Sequence, residues 1–452
     1  MPFAAGVSRA SITPFEGVEL TGWGYYIERR WRHIRDDLQA TALVVDDGRH
    51  TAAIVALDLM VIDDRFTRVT RERISVATGI PPDAILLTCS HSHNAPAAGG
   101  LRGVGECDPA YEDWASRQAA TATMLAWRNR VPARATIAHD DIHGLSYNRT
   151  RPAGPIDTQL TTLRIATVDG APLAFVVNFQ AHPCVQTILR PWDVTRDVPG
   201  EVCDRIEAAL PGVTAMYIQG ACGDVNFDPA FSSTERCHEP AQAIATAALR
   251  CQDGGVPLID PIVGTATVTA RIPTRRWARE EIDADRVEAE RRLATGDIAG
   301  WREGIGRVMT NNPADMVARH GGNEVQAVRA MARFNVEWTS QMLADVATRP
   351  EVLDTEVQAV RIGDLSIVAN ASEFFTTLAQ DVRSRSPAAE LMLACYANGR
   401  IGYMPDAYDI DRRTYAAYQS PKYCNQFPFT HDSGPTMCQS MLDTIALSRA
   451  IA

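Results

Sequence analysis

The feature that most constrains this chain is an apolar run that leads directly into two histidines. Leu86 and Leu87 precede Thr88-Cys89-Ser90, after which His91 and His93 follow with one residue between them. Side chains two residues apart in an extended segment point to the same side, so we expect the two imidazoles to face one point. Neutral imidazole is the commonest side-chain ligand of zinc-like ions. The segment therefore predicts the beginning of a metal site.

Two more apolar runs end in side chains of a similar kind. The run at 174–179 is followed by His182 and Pro183, and the proline is expected to end the strand and leave the imidazole at the mouth of a loop. Without its neighbours, His182 could equally be a structural histidine. The run at 367–370 is followed by Glu373, which could bind a metal or could interact favourably with a helix dipole from the first helical turn. Ligands gather beyond the carboxyl ends of strands in open α/β sheets. Two imidazoles and one carboxylate then predict the three-ligand set of hydrolytic zinc sites.

A fourth segment, at 396–405, is interrupted by glycines and carries Tyr403 shortly before Pro405. Its Asn-Gly and Gly-Tyr steps permit a close approach of the backbone. By itself, Tyr403 is more typical of a packing residue than of a metal ligand.

Composition is typical of a soluble globular enzyme and excludes several classes of partner. Of 452 residues, 46% are hydrophobic and 22% are charged, which argues against a disordered or fibrous protein. The net charge of −11 gives no electrostatic basis for binding nucleic acid or an anionic membrane, and no apolar run reaches the roughly 18 residues of a membrane span. We therefore expect a small-molecule substrate, no nucleic acid and no stable membrane insertion, while the sequence leaves a homo-oligomer open.

The N-terminus and the cysteines bear on the cellular compartment. The first residues show no basic segment followed by an apolar one, so no secretory signal is expected. Ten cysteines are scattered without C-x-x-C pairs, which is typical of reduced, buried cysteines. Together these features predict a cytoplasmic protein.

Alternating strand and helix patterns predict an α/β fold with mixed β-sheets flanked by helices, either as two closely packed lobes or as one domain over residues 1–452 with an inserted helical region. Residues 279–345 are rich in Ala, Arg and Glu at helical spacing, which predicts a helical insertion or cap of two or three helices. Gly363-Asp364 predicts a tight turn between two strands. The predicted strands are 41–45, 52–59, 84–88, 161–167, 173–178, 215–219, 262–271, 356–362, 365–370 and 391–396, and the predicted helices before the insertion are 66–78, 111–128 and 200–209.

Several short motifs occur along the chain in a characteristic order. They are Ser11-Ile12-Thr13-Pro14, Asp58-Leu59-Met60, Thr88-Cys89-Ser90-His91-Ser92-His93, Asn148-Arg149-Thr150-Arg151-Pro152, Ala181-His182-Pro183, Gln219-Gly220-Ala221-Cys222-Gly223-Asp224-Val225-Asn226, Ser372-Glu373-Phe374 and Gly402-Tyr403. From about Phe3 to Tyr415 the chain thereby resembles the neutral/alkaline, non-lysosomal ceramidase family. The joint occurrence of the motifs is far more specific than any one of them. The resemblance implies the fold of the family's catalytic domain and a short bacterial member.

The resemblance also implies the roles of individual residues. One catalytic zinc ion would be held by the positions that match the family's ligand motifs, which are His91, His182, Glu373 and Tyr403. Three further positions would surround the scissile amide as catalytic residues, namely His93, Arg149 and Tyr415. The spacing of twelve residues between the two tyrosines is the spacing of the family.

Two departures from the family pattern bear on the substrate. Asn226 stands where the family's ceramidases have a serine, and the family's C-terminal immunoglobulin-like domain is not expected in this chain. Both departures put ceramide itself in doubt as the substrate. Other polar residues are candidates for supporting the ligands or binding substrate: Asp197 could orient His182 or cap a helix, and Asp58 and Asp224 could support the site or form turns.

The function predicted from these residues is that of a zinc-dependent hydrolase that cleaves an amide (N-acyl) or ester bond of a small molecule through metal-activated water. His93 would donate a proton to the leaving amine, and Arg149, His93 or Tyr415 would stabilise the oxyanion. Two alternatives stay open. The chain could be a metal-dependent lyase or isomerase that acts next to a carbonyl, or a metal-binding homologue that has lost catalysis.

Overall fold

A computed structural model describes residues 3–24, 26–259, 261–299 and 320–451. The strands, in chain order, are β1 (Ala4–Ser11), β2 (His33–Ile34), β3 (Gln39–Asp46), β4 (Thr51–Leu57), β5 (Ile85–Cys89), β6 (Val131–Asp141), β7 (Ser146–Asn148), β8 (Gln159–Thr167), β9 (Pro172–Phe179), β10 (Asp193–Val194), β11 (Thr214–Gln219), β12 (Val225–Phe227), β13 (Val256–Leu258), β14 (Val263–Pro273), β15 (Val352–Ile362), β16 (Leu365–Asn370), β17 (Glu373–Phe374), β18 (Glu390–Ala394) and β19 (Tyr403–Met404).

The α-helices alternate with these strands. They are α1 (Asp64–Thr78), α2 (Pro109–Arg128), α3 (Val185–Leu189), α4 (Asp197–Ala209), α5 (Glu239–Arg250), α6 (Arg279–Thr295), α7 (Glu324–Asp345), α8 (Thr376–Arg385), α9 (Ala407–Arg412), α10 (Ser420–Tyr423) and α11 (Ser433–Arg449). Short 3₁₀ turns lie at Pro82–Ala84, Pro229–Phe231 and Cys251–Gly254, and a π-helical turn lies at Tyr415–Gln419.

Two sheets stack face to face and form the centre of the molecule. The larger has nine strands in the order β11-β9-β8-β6-β1-β3-β4-β5, with β13 paired to β6, and the smaller has the order β14-β15-β16-β18. Antiparallel pairs predominate, but β4 with β5, β9 with β11 and β16 with β18 are parallel. The prediction of mixed sheets flanked by helices is therefore confirmed.

The apolar runs in the sequence arise because the strands are buried on both faces. In β4, Ile54 belongs to the core shared with the smaller sheet, together with Ile367 and Met392. Its neighbour Val55 faces the opposite core, which includes residues of α1 and α2. Since successive side chains of a strand point to opposite faces, both kinds of position must be apolar.

Local signals explain where the elements begin and end. The carboxylate of Asp63 accepts the N–H of Phe66 and caps α1, and Gly79 ends that helix at a φ of 78°. The predicted tight turn between β15 and β16 is present, with Gly363 at a φ of 60°. β1 and β6 were not among the predicted strands because β1 consists mostly of small residues and β6 carries few apolar side chains in sequence.

The helical insertion lies between β14 and β15. Its described part is α6 packed against α7, and residues 300–319 of the predicted insertion lie outside the described residues. Among the helices of the described part, none is long and apolar enough to span a membrane. All ten cysteines are free and most are buried, as predicted.

Candidate metal centre

His91 and His93 come together, but not in the way that the spacing predicts. The chain after β5 runs beside the loop after β4, where His91 N donates to Leu59 O at 2.9 Å. His91 has a φ of 66°, in the left-handed region, so the segment is not extended and the expectation of two side chains on one side of a strand is wrong. The two rings nevertheless meet edge to face with centroids 4.7 Å apart.

Two backbone carbonyls fix the orientation of two of the imidazoles. His91 Nδ1 lies 3.0 Å from Met60 O, and His182 Nδ1 lies 2.6 Å from Cys222 O. Because a carbonyl oxygen can only accept, each Nδ1 carries the proton, and each Nε2 presents a lone pair. This arrangement of a histidine whose second nitrogen is held by a backbone carbonyl is typical of metal ligands.

Glu373 and Tyr403 lie opposite each other in a short ladder. β17 pairs in parallel with β19 in a register that places Glu373 beside Tyr403. The helix that follows begins only at Thr376, so the alternative that Glu373 lies in a first helical turn is wrong. Glu373 Oε2 is 3.3 Å from His91 Nε2 and 3.2 Å from His182 Nε2.

The donor set fits a divalent ion such as zinc. Two imidazole lone pairs and a carboxylate oxygen face one another, an arrangement that is repulsive unless a cation lies between them. Four ligands at the usual zinc distances of about 2.0–2.1 Å in a tetrahedron are about 3.3 Å apart, which matches the 3.2 and 3.3 Å separations of Glu373 from His182 and His91. Burial, and then the charge of Arg149, lowers the pKa of His182 to about 3, so this ring is neutral and competent as a ligand at pH 7.

His93 differs from the other two histidines. Its Nε2 lies 3.1 Å from His91 Nε2, and the ligand atoms of His91, His93 and His182 all lie within 4.8 Å of one another. However, His93 Nδ1 is buried without a hydrogen-bond partner among the described residues. Burial, followed by the neighbouring His91 and His182, lowers the pKa of His93 well below its usual value. His93 is thus a neutral imidazole with one nitrogen uncommitted.

Arg149 and Tyr415 border the same centre from the other side. Arg149 follows β7, and its Nη2 donates to Tyr403 Oη at 2.7 Å and to Gly223 O at 2.8 Å. Tyr415 begins the π-helical turn, with its ring 5.7 Å from the ring of Tyr403. Such turns are frequent at functional sites. The structure therefore brings all seven predicted ligand and catalytic residues to one place.

The carboxylate of Asp224 joins two of the segments that build the centre. It accepts from Asn148 Nδ2 at 2.7 Å, directly before Arg149, and from Thr376 N at 2.8 Å, shortly after Glu373. Burial raises the pKa of Asp224 to about 6. The side chain supports the site without belonging to it.

Asp58 supports the loop after β4, which contacts the segment of His91. It accepts the N–H of Gln39 at 2.9 Å and precedes Leu59, whose carbonyl accepts from His91 N. The residue therefore helps to fix the loop that anchors His91, and burial raises its pKa to about 6.

The sequence left open whether Asp197 orients His182. The structure shows that it does not. Its Oδ2 accepts the N–H of Gln186 at 2.9 Å and that of Thr187 at 3.4 Å, at the beginning of α3. The Nδ1 of His182 is instead held by Cys222 O. The alternative that Asp197 caps a helix is closer to what is observed. Its carboxylate accepts N–H groups at the beginning of α3, whereas Asp197 itself is the first residue of the next helix, α4, with a φ of 52°.

Asn226 lies beside His182 through a parallel bridge. Residues paired across strands present their side chains to the same face, so the amide of Asn226 is on the face of the imidazole. Its Oδ1 is buried without a hydrogen-bond partner among the described residues.

Sequence reasoning missed Tyr396. Its ring stacks on that of His91 with centroids 3.8 Å apart, and its hydroxyl lies 3.0 Å from Cys222 Sγ. Cys222 thereby contacts His182 directly through its carbonyl and is connected to His91 through this tyrosine. A tyrosine at the end of an apolar run gives no sequence signal for such a role, apart from the Asn-Gly step that follows it.

Comparisons with known proteins agree with this architecture. No protein-family model matches the chain, and no curated protein does. Solved structures do match, among them neutral ceramidase from Pseudomonas aeruginosa, with a TM-score of 0.72 and 16% identity, covering 100% of this chain and 75% of that one, and a ceramidase complexed with C2, with a TM-score of 0.70 and 15% identity, covering 100% and 76%. At this identity the likeness shows the fold.

Proposed function

Because the chain has the fold of neutral ceramidase, we propose that it is a zinc-dependent hydrolase that cleaves the amide bond of an N-acyl compound. The observation that carries the proposal is that His91 Nε2 and His182 Nε2 lie 3.3 and 3.2 Å from the same oxygen, Glu373 Oε2, while the Nδ1 of each ring faces a backbone carbonyl. A buried set of acceptors of this kind is built for a cation.

The residues divide into those that hold the ion and those that act on the substrate. His91, His182 and Glu373 would hold one zinc ion, with Tyr403 as the fourth protein ligand. When bound, the ion supplies Lewis-acid activation of a water molecule and of the substrate carbonyl. Asp58, Asp224 and the carbonyls of Met60 and Cys222 keep these ligands in place.

Arg149 supplies a positive charge that is fixed before the reaction. Its guanidinium is held by Gly223 O and Tyr403 Oη, so it needs no reorganisation when negative charge develops on the carbonyl oxygen. Removal of one such donor typically costs about 3 kcal/mol of transition-state stabilisation. Tyr415, next to Tyr403, offers a second hydroxyl at this side of the centre.

His93 moves the proton. Since the ring is neutral at rest, it accepts a proton when water attacks and returns it to the leaving nitrogen, which cannot depart as an amide anion. Nδ1 has no partner among the described residues, so it is the atom that can carry this proton without breaking a bond within the protein.

The test is the hydrolysis of a panel of N-acyl amides by zinc-loaded protein, compared with Glu373→Gln. A matched control is Glu390→Gln, which changes a carboxylate that also contacts a histidine, His139 Nε2 at 2.5 Å, and that lies at the beginning of β18, outside this centre. We expect hydrolysis by the wild type and the control and loss of activity in Glu373→Gln. Equal activity in the two variants would contradict the proposal.

A further inference from the structure

One buried cation of this molecule lacks the counterion that the others have. The described part of the chain buries the cationic side chains of Arg29, Arg71, Arg196 and Lys422. Arg71 pairs with Glu356, Arg196 with Asp36 and Asp204, and Lys422 with Asp285. Arg29 has no carboxylate within 4.0 Å among these residues.

Arg29 is bound only by neutral acceptors. The side chain is 1% exposed, and its Nε and Nη1 donate to three carbonyl oxygens: Pro191 O at 2.7 Å, Thr21 O at 2.6 Å and His93 O at 2.8 Å. The ring of Trp23 lies 4.5 Å from the guanidinium carbon, and Nη2 has no hydrogen-bond partner among the described residues. Buried charges are normally paired because their desolvation is costly. Among the described residues, this charge is therefore retained without a carboxylate partner.

The charge remains at neutral pH. Burial lowers the pKa of Arg29, but only to about 9. At pH 7 the guanidinium is protonated, and it lies directly behind His93, whose carbonyl it binds.

Arg149, the second arginine of the region, also lacks a nearby carboxylate among the described residues. Arg149 donates to Gly223 O and to Tyr403 Oη, and no carboxylate in the described part of the chain lies within 4.0 Å of it. With a divalent ion in the centre and Glu373 as the one carboxylate ligand, the site carries excess positive charge.

We infer that the substrate of this site is an anion whose negative group is carried by the leaving amine, as in an N-acyl amino acid. The inference rests on the proposed function, in which the leaving nitrogen lies at His93, the residue that Arg29 holds. Hydrolysis breaks the C–N bond of the amide and forms a C–O bond to water. One proton of the water passes through His93 to the nitrogen, and the products are a carboxylic acid and a free amino acid.

Arg29 is then a specificity-determining residue that acts through its field. A unit charge several ångströms away in a partly buried site changes binding of an anion by about 10- to 100-fold at an effective dielectric of about 20. No contact between Arg29 and the substrate is needed for this effect, which favours a carboxylate and disfavours an ammonium group.

The experiment compares two substrates that differ only in charge, N-hexanoylglycine and N-hexanoylglycinamide, with zinc-loaded full-length protein. We expect kcat/KM of the wild type to be about 10- to 100-fold higher for the carboxylate. In Arg29→Met this ratio should fall toward one through the carboxylate substrate alone, whereas Arg29→Lys should keep most of it. Arg71→Gln, which alters a buried arginine away from the site, is the control and should keep the ratio of the wild type.

Failures of the two proposals are distinguishable. Hydrolysis of the glycinamide at a rate equal to or above that of the glycine compound would overturn the inference and leave the proposed function intact. Absence of hydrolysis of both by zinc-loaded protein would contradict the proposed function. If Arg29→Met does not fold, product inhibition of the wild type tests the inference instead. Glycine should inhibit hydrolysis more strongly than glycinamide, and the reverse order would refute an anionic leaving amine.

Discussion

Two clusters of buried polar groups, one around Lys422 and one around His91 and His182, differ in how their charges and lone pairs are partnered. Around Lys422, the buried charge has its counterion: Nζ binds Asp285 Oδ2 at 2.6 Å, Tyr418 Oη donates to the same oxygen at 3.1 Å, and the rings of Tyr418 and Trp338 lie 4.4 and 4.9 Å from the ammonium. Around His91 and His182, lone pairs face a carboxylate, and His93 Nδ1 has no partner among the described residues.

This difference in partnering distinguishes a cluster that stabilises the fold from one that can bind a ligand. A cluster in which each charge has its counterion stabilises the fold and has no capacity left for a ligand. A cluster in which acceptors face one another is repulsive by itself, and under the proposed function a bound cation would complete it. The following changes either break this contrast or sharpen it.

The largest effect is expected at the histidine centre. His182→Ala removes one lone pair and the bond to Cys222 O, and we expect at least about a 10³-fold loss of activity, equivalent to about 4 kcal/mol, together with loss of bound zinc. His139→Ala, which also removes a histidine beside a glutamate, is the control and should keep both. Steady-state kinetics and metal analysis on the same samples measure the activity and the zinc content. Retention of zinc by His182→Ala would count against the assignment of His182 as a ligand.

The Lys422 cluster should respond in stability and not in metal content. Asp285→Asn leaves a buried ammonium without its counterion, and we expect the free energy of unfolding to fall by about 3 kcal/mol. The double variant Asp285→Leu with Lys422→Met removes both charges and should recover most of that loss. Denaturant unfolding measures the effect. If Asp285→Asn instead released zinc at unchanged stability, the division between the two clusters would be wrong.

Asp58 offers a test through pH. Burial raises its pKa to about 6, above the value of about 3.9 in unfolded chains, so the folded state binds the proton more tightly. Its contribution to stability is therefore greatest below about pH 4 and is lost as the pH rises through 6. Relative to Asp58→Asn, the wild type should lose about 2 kcal/mol of unfolding free energy between pH 4 and pH 7. A difference between the two proteins that does not change with pH would show that this carboxyl is not perturbed.

The smallest effect is expected at Tyr396. Tyr396→Phe keeps the ring on His91 and removes the contact of the hydroxyl with Cys222 Sγ, which is 3.0 Å long. We expect a loss of about 1 kcal/mol in stability and nearly unchanged zinc binding, whereas Tyr396→Leu, which also removes the stacked ring, should weaken zinc binding. Zinc titrations of the two variants provide the comparison, and equal affinities would show that the stacked ring does not support His91.

The sequence reveals the centre well because each of its main parts follows an apolar strand. His91 follows β5, His182 follows β9 and Glu373 follows β16, and strands of this kind are recognisable since they are buried on both faces. The resemblance to neutral ceramidases was confirmed at the level of the fold.

What the sequence did not reveal depends on backbone atoms and on contacts between distant segments. The carbonyls of Met60 and Cys222 fix two imidazoles, yet a carbonyl has no residue-specific signature. The positive φ of His91 replaces the extended geometry that the spacing predicted. Asp197 binds α3 because the chain folds back there, and the isolation of Arg29 from carboxylates is a property of the assembled core alone.

The central claim is that His91, His182 and Glu373 together hold one divalent ion. The most direct measurement is the zinc content of purified protein after chelation and reconstitution, for the wild type, His91→Ala, Glu373→Ala and the control His139→Ala. The account predicts about one zinc per chain in the wild type and the control, and almost none in the two ligand variants. A full equivalent of zinc in both His91→Ala and Glu373→Ala would contradict it.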